Sequence, residues 1–335
     1  GYAMRPDGTR GTWVGLYSSG LQRVVDSFPP VNKSTEATTS DFNSTVLRYL
    51  NVAGSYYSDI PLRLPSLFVL RLHGNLTVAT NASFPAEDKY PALVELNGVS
   101  YSAVVGGTYD ATGNSSLQAL HLEDGTSCAV RDVVALGSAN VAIVHIRGGT
   151  RHELATSEVN GGGIAGRCVW TIATSEALVH DNHVHQCVGH ALDFDAYTKS
   201  SAAWSNLCEN NGEQGIFVEE TASNNFIFNN TCRDNKGSGI AVYSNAVGPV
   251  ANNLFINNVV SGNGGVGISS GGYGHSPIKH AEGNIYVGNV ALGNGGGGVQ
   301  VAHGAVEGEY WTNNDNQDGW IDVPHAAANA TVFDP

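Results

Sequence analysis

An internal repeat in the second half of the chain constrains the fold more than any other feature. Four segments each carry an Asn, a second Asn five residues later, a Gly and then an apolar–x–apolar strand: WSNLCENNGEQGIFVEE, FNNTCRDNKGSGIAVYSN, INNVVSGNGGVGISSGG and VGNVALGNGGGGVQVAHG. The first asparagines are Asn206, Asn230, Asn258 and Asn289, spaced by 24, 28 and 31 residues. Short strands at this period predict an all-β fold, a right-handed parallel β-helix solenoid whose coils stack about 4.8 Å apart.

The second asparagines of the repeats form a matching column. They are Asn211, Asn235, Asn263 and Asn294, and the preceding coil has Asn182 in the first column and Cys187 in the second. An Asn amide can bond to the same amide on the coils above and below, and Asn tolerates the left-handed conformation of a sharp turn. These asparagines are therefore interpreted as structural.

The repeat also suggests how the chain is organised. Residues 61–310 are predicted to form the β-helix, residues 1–60 an N-terminal cap with a short helix around Leu21–Phe28, and residues 311–335 a C-terminal tail that packs on the helix. Cys208 and Cys232 occupy the same inward position on neighbouring coils, which allows either a disulfide or a stack of buried thiols. The pairing of Cys128, Cys168 and Cys187 is left open.

Composition narrows the function classes. Only 14% of residues are charged and the formal net charge is −14, which disfavours nucleic acid as a partner. No stretch approaches the roughly 20 apolar residues of a transmembrane helix, so no membrane partner is expected. We expect a monomer without an obligatory cofactor, although the acidic residues allow Ca²⁺.

Seven N-x-S/T sequons together with five cysteines indicate a secreted, extracellular, N-glycosylated protein. No signal peptide opens the sequence, so we expect it to be a mature form. The sequons begin at Asn32, Asn43, Asn75, Asn81, Asn114, Asn229 and Asn329.

Strand alternation places the candidate site residues on one outward face. In ALDFDAY, Leu192 and Phe194 align with inward residues of later coils, so Asp193 and Asp195 point outward. Stacking the coils gives one outward column of Ala165, Asp193, Phe217, Ala241, Ser269 and Gln300, and a second of Arg167, Asp195, Glu219, Tyr243 and Gly271. Just beyond lie further candidates for substrate binding or catalysis: Tyr197, Lys199, Glu220, Asn245, Tyr273, His275 and His303. Outward positions on the other walls are interpreted as mostly Ser, Thr, Asn and Arg.

The histidines of HDNHVHQC need a separate interpretation. His183 and His185 point outward two residues apart, and with His180 they could chelate a metal. They lie on a different wall from the two aspartates, so we predict scaffold and no metal site. His190 differs, because it lies at the turn that enters the acidic strand.

From about residue 190 to 260 the chain resembles the β-helix mannuronan C5-epimerases and alginate-lyase-type enzymes. Their cleft strand has the form Tyr-Gly-φ-Asp-Pro-His, and here the same register is His190-Ala191-Leu192-Asp193-Phe194-Asp195, followed by GEQGIFVEETASNNFIFNNTCRDNKGSGIAVYSN. The resemblance implies proton transfer by a His with a Tyr partner, and acids that handle the substrate carboxylate. This chain keeps Asp193, but has Asp195 in place of the His and His190 in place of the Tyr.

Three functions are weighed. The first is β-elimination or C5-epimerisation of a uronic-acid polysaccharide, with His190, Tyr197 or Tyr243 as base and acid and Arg167 or Lys199 as charge neutraliser. The second is glycoside hydrolysis by Asp193, Asp195 and Glu219, since crowded carboxyls raise one another's pKa. The third is a non-catalytic glycan-binding wall protein that uses Trp170, Trp204, Tyr243 and Tyr273. The register of the motif fits the first better, and the charges fit the second better. On balance the sequence slightly favours elimination or epimerisation, with an extended polysaccharide as the expected substrate.

Overall fold

The computed structural model describes residues 2–4, 10–12, 18–28, 47–79, 82, 84, 89–137, 139–243, 248–271, 281–301, 306–312, 314–321 and 331–333. Within them the chain winds through successive coils of short strands, and nearly every strand pairs in parallel with the same strand of the next coil. The prediction of an all-β parallel solenoid is confirmed.

Each regular coil crosses three walls. Wall one is an 11-stranded sheet. Its strands are β4 Leu62–Arg63, β6 Ala92–Asn97, β9 Gln118–Glu123, β12 Ala142–Arg147, β15 Arg167–Ile172, β18 Leu192–Phe194, β21 Ile216–Glu219, β24 Ile240–Tyr243, β28 Ile268–Ser270, β32 Val299–Val301 and β36 Trp320–Ile321.

Walls two and three form one 21-stranded sheet that bends at a corner in every coil. Wall two contains β7 Ala103–Val105, β10 Ala129–Arg131, β13 Glu153–Ala155, β16 Leu178–His180, β19 Ala202–Trp204, β22 Phe226–Phe228, β26 Leu254–Ile256, β30 Ile285–Val287, β34 Tyr310–Thr312 and β37 Thr331–Phe333. Wall three contains β8 Thr108–Ala111, β11 Val134–Gly137, β14 Glu158–Asn160, β17 His183–His185, β20 Leu207–Glu209, β23 Thr231–Arg233, β27 Val259–Ser261, β31 Val290–Leu292 and β35 Asp315–Asn316. The long strands β3 Arg48–Ser58 and β5 Phe68–Val78 run along both walls.

A few short elements complete the fold. The strands β25 Val250–Ala251, β29 Ala281–Glu282 and β33 Val306–Glu307 form a small parallel sheet. Near the N-terminus, β1 Tyr2–Met4 and β2 Arg10–Thr12 pair antiparallel, and α1 spans Ser18–Asp26. Leu21 and Val25, four residues apart on α1, are both buried, which confirms the expected short helix.

The ends of the parallel ladder lie outside the boundaries that the repeat suggested. Pairing begins at Arg48, inside the segment assigned to the cap, and the last pairing joins Tyr310–Thr312 to Thr331–Phe333. The division into cap, β-helix and tail stays a prediction. No helix among the described residues is long and apolar enough to cross a membrane.

Buried asparagine ladders stabilise the corners of the coils. In a typical rung, Nδ2 of Asn206 donates to Oδ1 of Asn230 at 2.9 Å and to the carbonyl of Val179 at 2.8 Å. Its Oδ1 accepts from both nitrogens of Asn182. These amides are buried, and their ladder hydrogen bonds compensate for the bonds to water that they lose, so they stabilise the corners. The two predicted columns are confirmed as structural.

A third ladder was not predicted. It passes through Ser201, Asn225, Asn253 and Asn284 and ends on the carboxylate of Glu309.

The structure settles the state of the five cysteines. Cys168 and Cys187 form a disulfide, and Cys128, Cys208 and Cys232 are buried free thiols. Cys208 and Cys232 do occupy paired positions on neighbouring coils, as expected, without being bonded.

The outward side of wall two differs from expectation. Instead of Ser, Thr, Asn and Arg, it carries apolar side chains over most of its length, with Phe226 51% exposed. The expectation that the other walls are polar outside is therefore wrong for this one. Strand segments such as FIF, LFI and IYV are apolar on both faces, so alternation alone could not distinguish inside from outside.

Candidate active site

Wall one positions the predicted site residues, with one register correction. Asp193 pairs with Phe217 on the next coil, as predicted, but on the preceding coil it pairs with Trp170 and not with Ala165. Ala165 lies before the strand and is buried. The coil from Val169 to Leu192 is short. The Gly-rich segment before it made the alignment of this coil with the next ambiguous in the sequence.

Three carboxylates converge on this wall. Asp193, Asp195 and Glu219 each offer an oxygen that lies within 4.8 Å of the others. The side chain of Asp193 is fully buried, while that of Glu219 keeps 14% of its surface exposed. We call these three side chains the carboxylate cluster. The sequence placed all three on one outward face, and the structure confirms that they meet, although they are far more buried than expected.

Arg167 supplies the positive charge of the cluster. Its strand position matches His190 and not Asp195, so its predicted column was wrong. Its guanidinium nevertheless reaches over the sheet, bonds to Asp193 through Nε, and lies 3.6 Å from Glu219. Burial alone would lower the pKa of Arg167, but the charge of Asp193 raises it, so the guanidinium stays charged.

One guanidinium cannot neutralise three carboxylates, and the pKa values respond. Burial raises the pKa of Asp193 well above its usual range, with Glu219 and Asp195 adding to the effect against the attraction of Arg167. Burial, followed by repulsion from Asp195, raises the pKa of Glu219 to about 7. The cluster therefore holds at least one proton near neutral pH.

Asp195 is held as a hydrogen-bond acceptor. Nε1 of Trp170 donates to its Oδ2 at 2.8 Å, and the backbone N–H of Ala196 donates to its Oδ1. These two bonds fix the orientation of the Asp195 carboxyl. The cluster thus combines a carboxyl whose pKa is raised to about 7, Glu219, with one that accepts a hydrogen bond at each oxygen, Asp195.

An aromatic column leads up to the cluster and was missed by sequence reasoning. His121, His145 and Trp170 stack in register on consecutive coils with ring centroids 4.7 and 4.4 Å apart, and Tyr90 packs edge-on against all three. Arg167 lies 5.0 Å above the indole. Burial lowers the pKa of His145 to about 2, so its ring is neutral. The sequence signal was strand alternation: in VHI and VWT the ring-bearing residue is the middle one, so it points away from the core.

His190 borders the cluster. Its Nε2 lies 3.1 Å from Glu213, its ring packs against Phe217, and burial followed by the charge of Arg167 lowers its pKa to about 4. A neutral imidazole can accept a proton, as the epimerase-like interpretation requires.

The remaining candidates are less close to the cluster. Tyr243 lies on the coil after Glu219 and pairs with it, and its hydroxyl donates to Ser269. The charge of Glu220 contributes to the raised pKa of Glu219. Tyr197 is 59% exposed in the following turn. Lys199 lies further on, bridged to Ser175 and Ser223. Asn245, Tyr273, His275 and His303 lie outside the described residues.

The surface histidines have carboxylate partners of their own. His183 bonds to Glu209 at 2.9 Å and His185 to Glu158 at 3.1 Å, on opposite neighbouring coils. His180 lies 3.0 Å from Glu153. The rings of His183 and His185 stack at 4.1 Å, and each Nε2 is bonded to its own carboxylate. Among the described residues, the one convergent set of possible metal ligands is the carboxylate cluster, whose oxygens would suit a hard cation such as Ca²⁺.

The sequence model of the protein family described as the right-handed beta helix region matches residues 113–282. This range is half of the chain and includes the carboxylate cluster. The chain belongs to the right-handed β-helix family. No curated protein sequence matches it.

Solved structures share the fold of this β-helix protein at low identity. The A-module of the mannuronan C-5 epimerase AlgE6 from Azotobacter vinelandii is 13% identical with a TM-score of 0.64, over 94% of this chain and 93% of that one. The endo-xylogalacturonan hydrolase from Aspergillus tubingensis is 9% identical with a TM-score of 0.55, over 84% and 91%. The Dettilon tailspike protein is 15% identical with a TM-score of 0.62, over 78% of this chain and only 55% of the tailspike. These likenesses show the fold alone, and polysaccharide-active proteins of different reaction types share it.

Proposed function

We propose that this protein hydrolyses a glycosidic bond of an extended polysaccharide at the carboxylate cluster. The observation that carries the proposal is the pairing of two carboxyls in unlike surroundings. Glu219 has a pKa of about 7, and Asp195 accepts hydrogen bonds at both oxygens. Glycosidases use such a pair, one carboxyl to protonate the leaving oxygen and one carboxylate to attack or to stabilise.

Exposure divides the roles within the cluster. Glu219 and Asp195 each keep some exposed surface, so they can reach a substrate. Asp193 has no exposed side-chain surface and bonds to Arg167, so it is a positioning residue. Glu219 is then the general acid and Asp195 the nucleophile. Each of the two carboxyls has an oxygen within 4.8 Å of one on the other, which is closer to the separation of about 5–5.5 Å in retaining enzymes than to the 6.5–9.5 Å or so of inverting ones, so we propose that the product keeps its anomeric configuration.

The charge of the site also defines the substrate class. Asp193, Asp195, Glu219 and the neighbouring Glu220 outnumber Arg167, which disfavours a uronate carboxylate beside them. A neutral glycan chain incurs no such repulsion. We therefore propose a neutral polysaccharide as the substrate. We also propose that the protein is secreted and N-glycosylated.

Elimination or C5-epimerisation of a uronic-acid polysaccharide is the second candidate. It is favoured by His190, whose ring is neutral and lies near Arg167, the two groups that would act as base and charge neutraliser. It is disfavoured by the acid partner: Tyr197 is exposed in the next turn, and the described residues show no contact between it and His190.

A substrate panel distinguishes these chemistries. The protein is incubated with alginate, pectate, glucuronan and neutral glucans and fructans, with and without Ca²⁺, and reducing ends and ultraviolet absorbance are followed. Reducing ends without absorbance, from a neutral polymer, are expected. Absorbance from a uronan, or altered proton NMR of a recovered uronan, would overturn hydrolysis in favour of the second candidate. Binding without turnover on every polymer would leave a glycan-binding protein.

Matched variants then test the assignment. Glu219→Gln and Asp195→Asn should each lower kcat by about 10³-fold or more, while Glu158→Gln, which removes a carboxylate on wall three, should leave it unchanged. If Glu219→Gln retained full activity, the acid would have to lie elsewhere.

A further inference from the structure

The outward side of wall two carries two parallel columns of apolar side chains across six consecutive coils. They belong to β16, β19, β22, β26, β30 and β34. One column is Leu178, Ala202, Phe226, Leu254, Ile285 and Tyr310, and the other is His180, Trp204, Phe228, Ile256, Val287 and Thr312. We call these twelve residues the apolar face.

Much of this surface is exposed to solvent. Phe226 is 51% exposed, Ile285 39% and Tyr310 38%, although each could have been polar without disturbing the core, which lies on the other side of the strand. Contiguous exposed apolar surface of this kind marks an interaction site in a soluble protein.

The apolar face continues around the corner onto wall three. Val259 and Leu292 there are 38% and 47% exposed. At about 4.8 Å per coil the six coils extend over roughly 24 Å, and the two columns are about 7 Å apart. A stable dimer buries about 800 Å² on each partner, so the wall-three neighbours are part of the contact surface.

Charge indicates what covers this face. The chain carries a formal net charge of −14, so two copies repel each other over most of their surfaces. The apolar face contains no Asp, Glu, Lys or Arg. On the adjoining wall three, Glu158, Glu209 and Arg233 lie on coils that precede those of Val259 and Leu292, and wall one carries the carboxylate cluster. Two acidic copies that meet through the apolar face therefore place none of these charged side chains within its two columns.

Ring geometry disfavours a sugar as the occupant. The rings of His180 and Trp204 stack at 4.0 Å, and those of Trp204 and Phe228 lie parallel at 5.7 Å. The ring faces therefore cover one another along the column and leave their edges to solvent, whereas a sugar ring packs on an open aromatic face. Flat β-sheet walls instead pack face to face about 10 Å apart.

We propose that the apolar face joins two copies of this chain in an isologous dimer, which departs from the expectation of a monomer. In such a twofold contact each apolar face packs against the same face of its partner. The proposal is independent of the proposed hydrolysis, because the carboxylate cluster lies on wall one.

Sedimentation velocity over a concentration series tests the dimer. After enzymatic removal of N-glycans, the chain should approach twice its 35.0 kDa mass as concentration rises. The sequon at Asn229 borders the face, so the glycosylated chain should dimerise more weakly. Ile285→Glu and Phe226→Glu place a charge in the contact and should weaken the dimer by about 30-fold or more. Ile164→Glu is the matched control, since Ile164 is 62% exposed outside the face. It should dimerise like the native chain.

A cross-linking measurement keeps the test decisive if a charged variant folds poorly. Leu254→Cys, near the middle of the face, should form a covalent dimer with a short bis-maleimide, while Ile164→Cys should not. The native thiols are buried and provide the background. A native chain that stays monomeric throughout, or that dimerises equally well as Ile285→Glu, would overturn the proposal. A monomer that binds an insoluble polysaccharide through this face would replace it.

Discussion

The indole Nε1–H of Trp170 donates a 2.8 Å hydrogen bond to Oδ2 of Asp195, and the two residues lie on adjacent coils of wall one. The same indole packs beneath the guanidinium of Arg167. A single side chain thus orients both the anion of the cluster and its counter-charge. Loss of the indole donor should therefore disturb the orientation of both groups.

Trp170→Phe keeps the stacked ring and removes this donor. Oδ2 of Asp195 then loses its donor and the carboxyl is held less firmly, so kcat should fall about 10- to 100-fold. Initial rates are measured on the polymer that the native protein degrades. Trp204→Phe, which changes an indole on wall two, should leave kcat unchanged. Full activity in Trp170→Phe would contradict the role assigned to this bond.

The raised pKa of Glu219 fixes the alkaline limb. A general acid must be protonated, and Glu219 has a pKa of about 7, so activity should fall about tenfold per pH unit above that value. Because repulsion from Asp195 contributes to the raised pKa, Asp195→Asn should also lower the pKa of Glu219. That shift can be followed by ¹³C NMR of labelled glutamate. Activity that stayed constant to pH 9 would exclude Glu219 as the acid.

Arg167 should matter more for stability at high pH than at low pH. It lowers the pKa values of both Asp193 and Glu219, so in Arg167→Ala those values rise further and folding becomes less favourable once the carboxyls would ionise. Losing one partner of a buried ion pair costs about 3–5 kcal/mol. Urea denaturation should therefore show the larger loss at pH 8 and the smaller at pH 5. Arg233→Ala, on the surface of wall three, should cost little at either pH.

The asparagine ladders predict a steep difference between buried and exposed amides. Asn230 donates to Asn258 and to the carbonyl of Ala203 and accepts from Asn206, so Asn230→Ala leaves several buried groups unpaired. We expect a loss of about 2–4 kcal/mol in the free energy of unfolding. Asn97→Ala, at an exposed strand end, should cost under about 0.5 kcal/mol. Equal losses in the two variants would contradict the ladder as a source of stability.

Glycosylation can be checked on protein from a eukaryotic secretory host. Asn75 and Asn229 are exposed, so both should be converted to Asp by peptide N-glycosidase F, detectable as a mass shift in peptides. Asn114 is partly exposed and should react less completely. Unmodified Asn75 and Asn229 in protein from such a host would contradict the proposed glycosylation.

Sequence patterns predicted what repeats and missed what depends on a single coil. The spacing of Asn206, Asn230 and Asn258 sufficed for the fold and for two ladders, because an amide column demands the same residue in every coil. The carboxylates were found for the same reason: Asp193 and Glu219 lie on coils of regular length.

The misses have local causes. Ala165 was put in the column position that Trp170 occupies because this coil is shorter than its neighbours. The disulfide depends on a spatial approach that sequence spacing does not reveal. Burial of Asp193 could not be anticipated either, since it depends on the long Arg167 side chain reaching across from a neighbouring coil.

The bond between Cys168 and Cys187 joins the start and the end of one coil, the coil that carries Trp170. The residues between them therefore form a covalent ring around the solenoid. A repeat protein frays coil by coil from its ends, and fraying from the N-terminal side must pass this ring before it reaches Asp193 and Glu219. Under reducing conditions the ring opens, and amide hydrogen exchange from the N-terminal end would then propagate into the coils that hold the reacting groups. In the oxidising compartment expected for a secreted protein, the disulfide stays formed and this coil stays covalently closed.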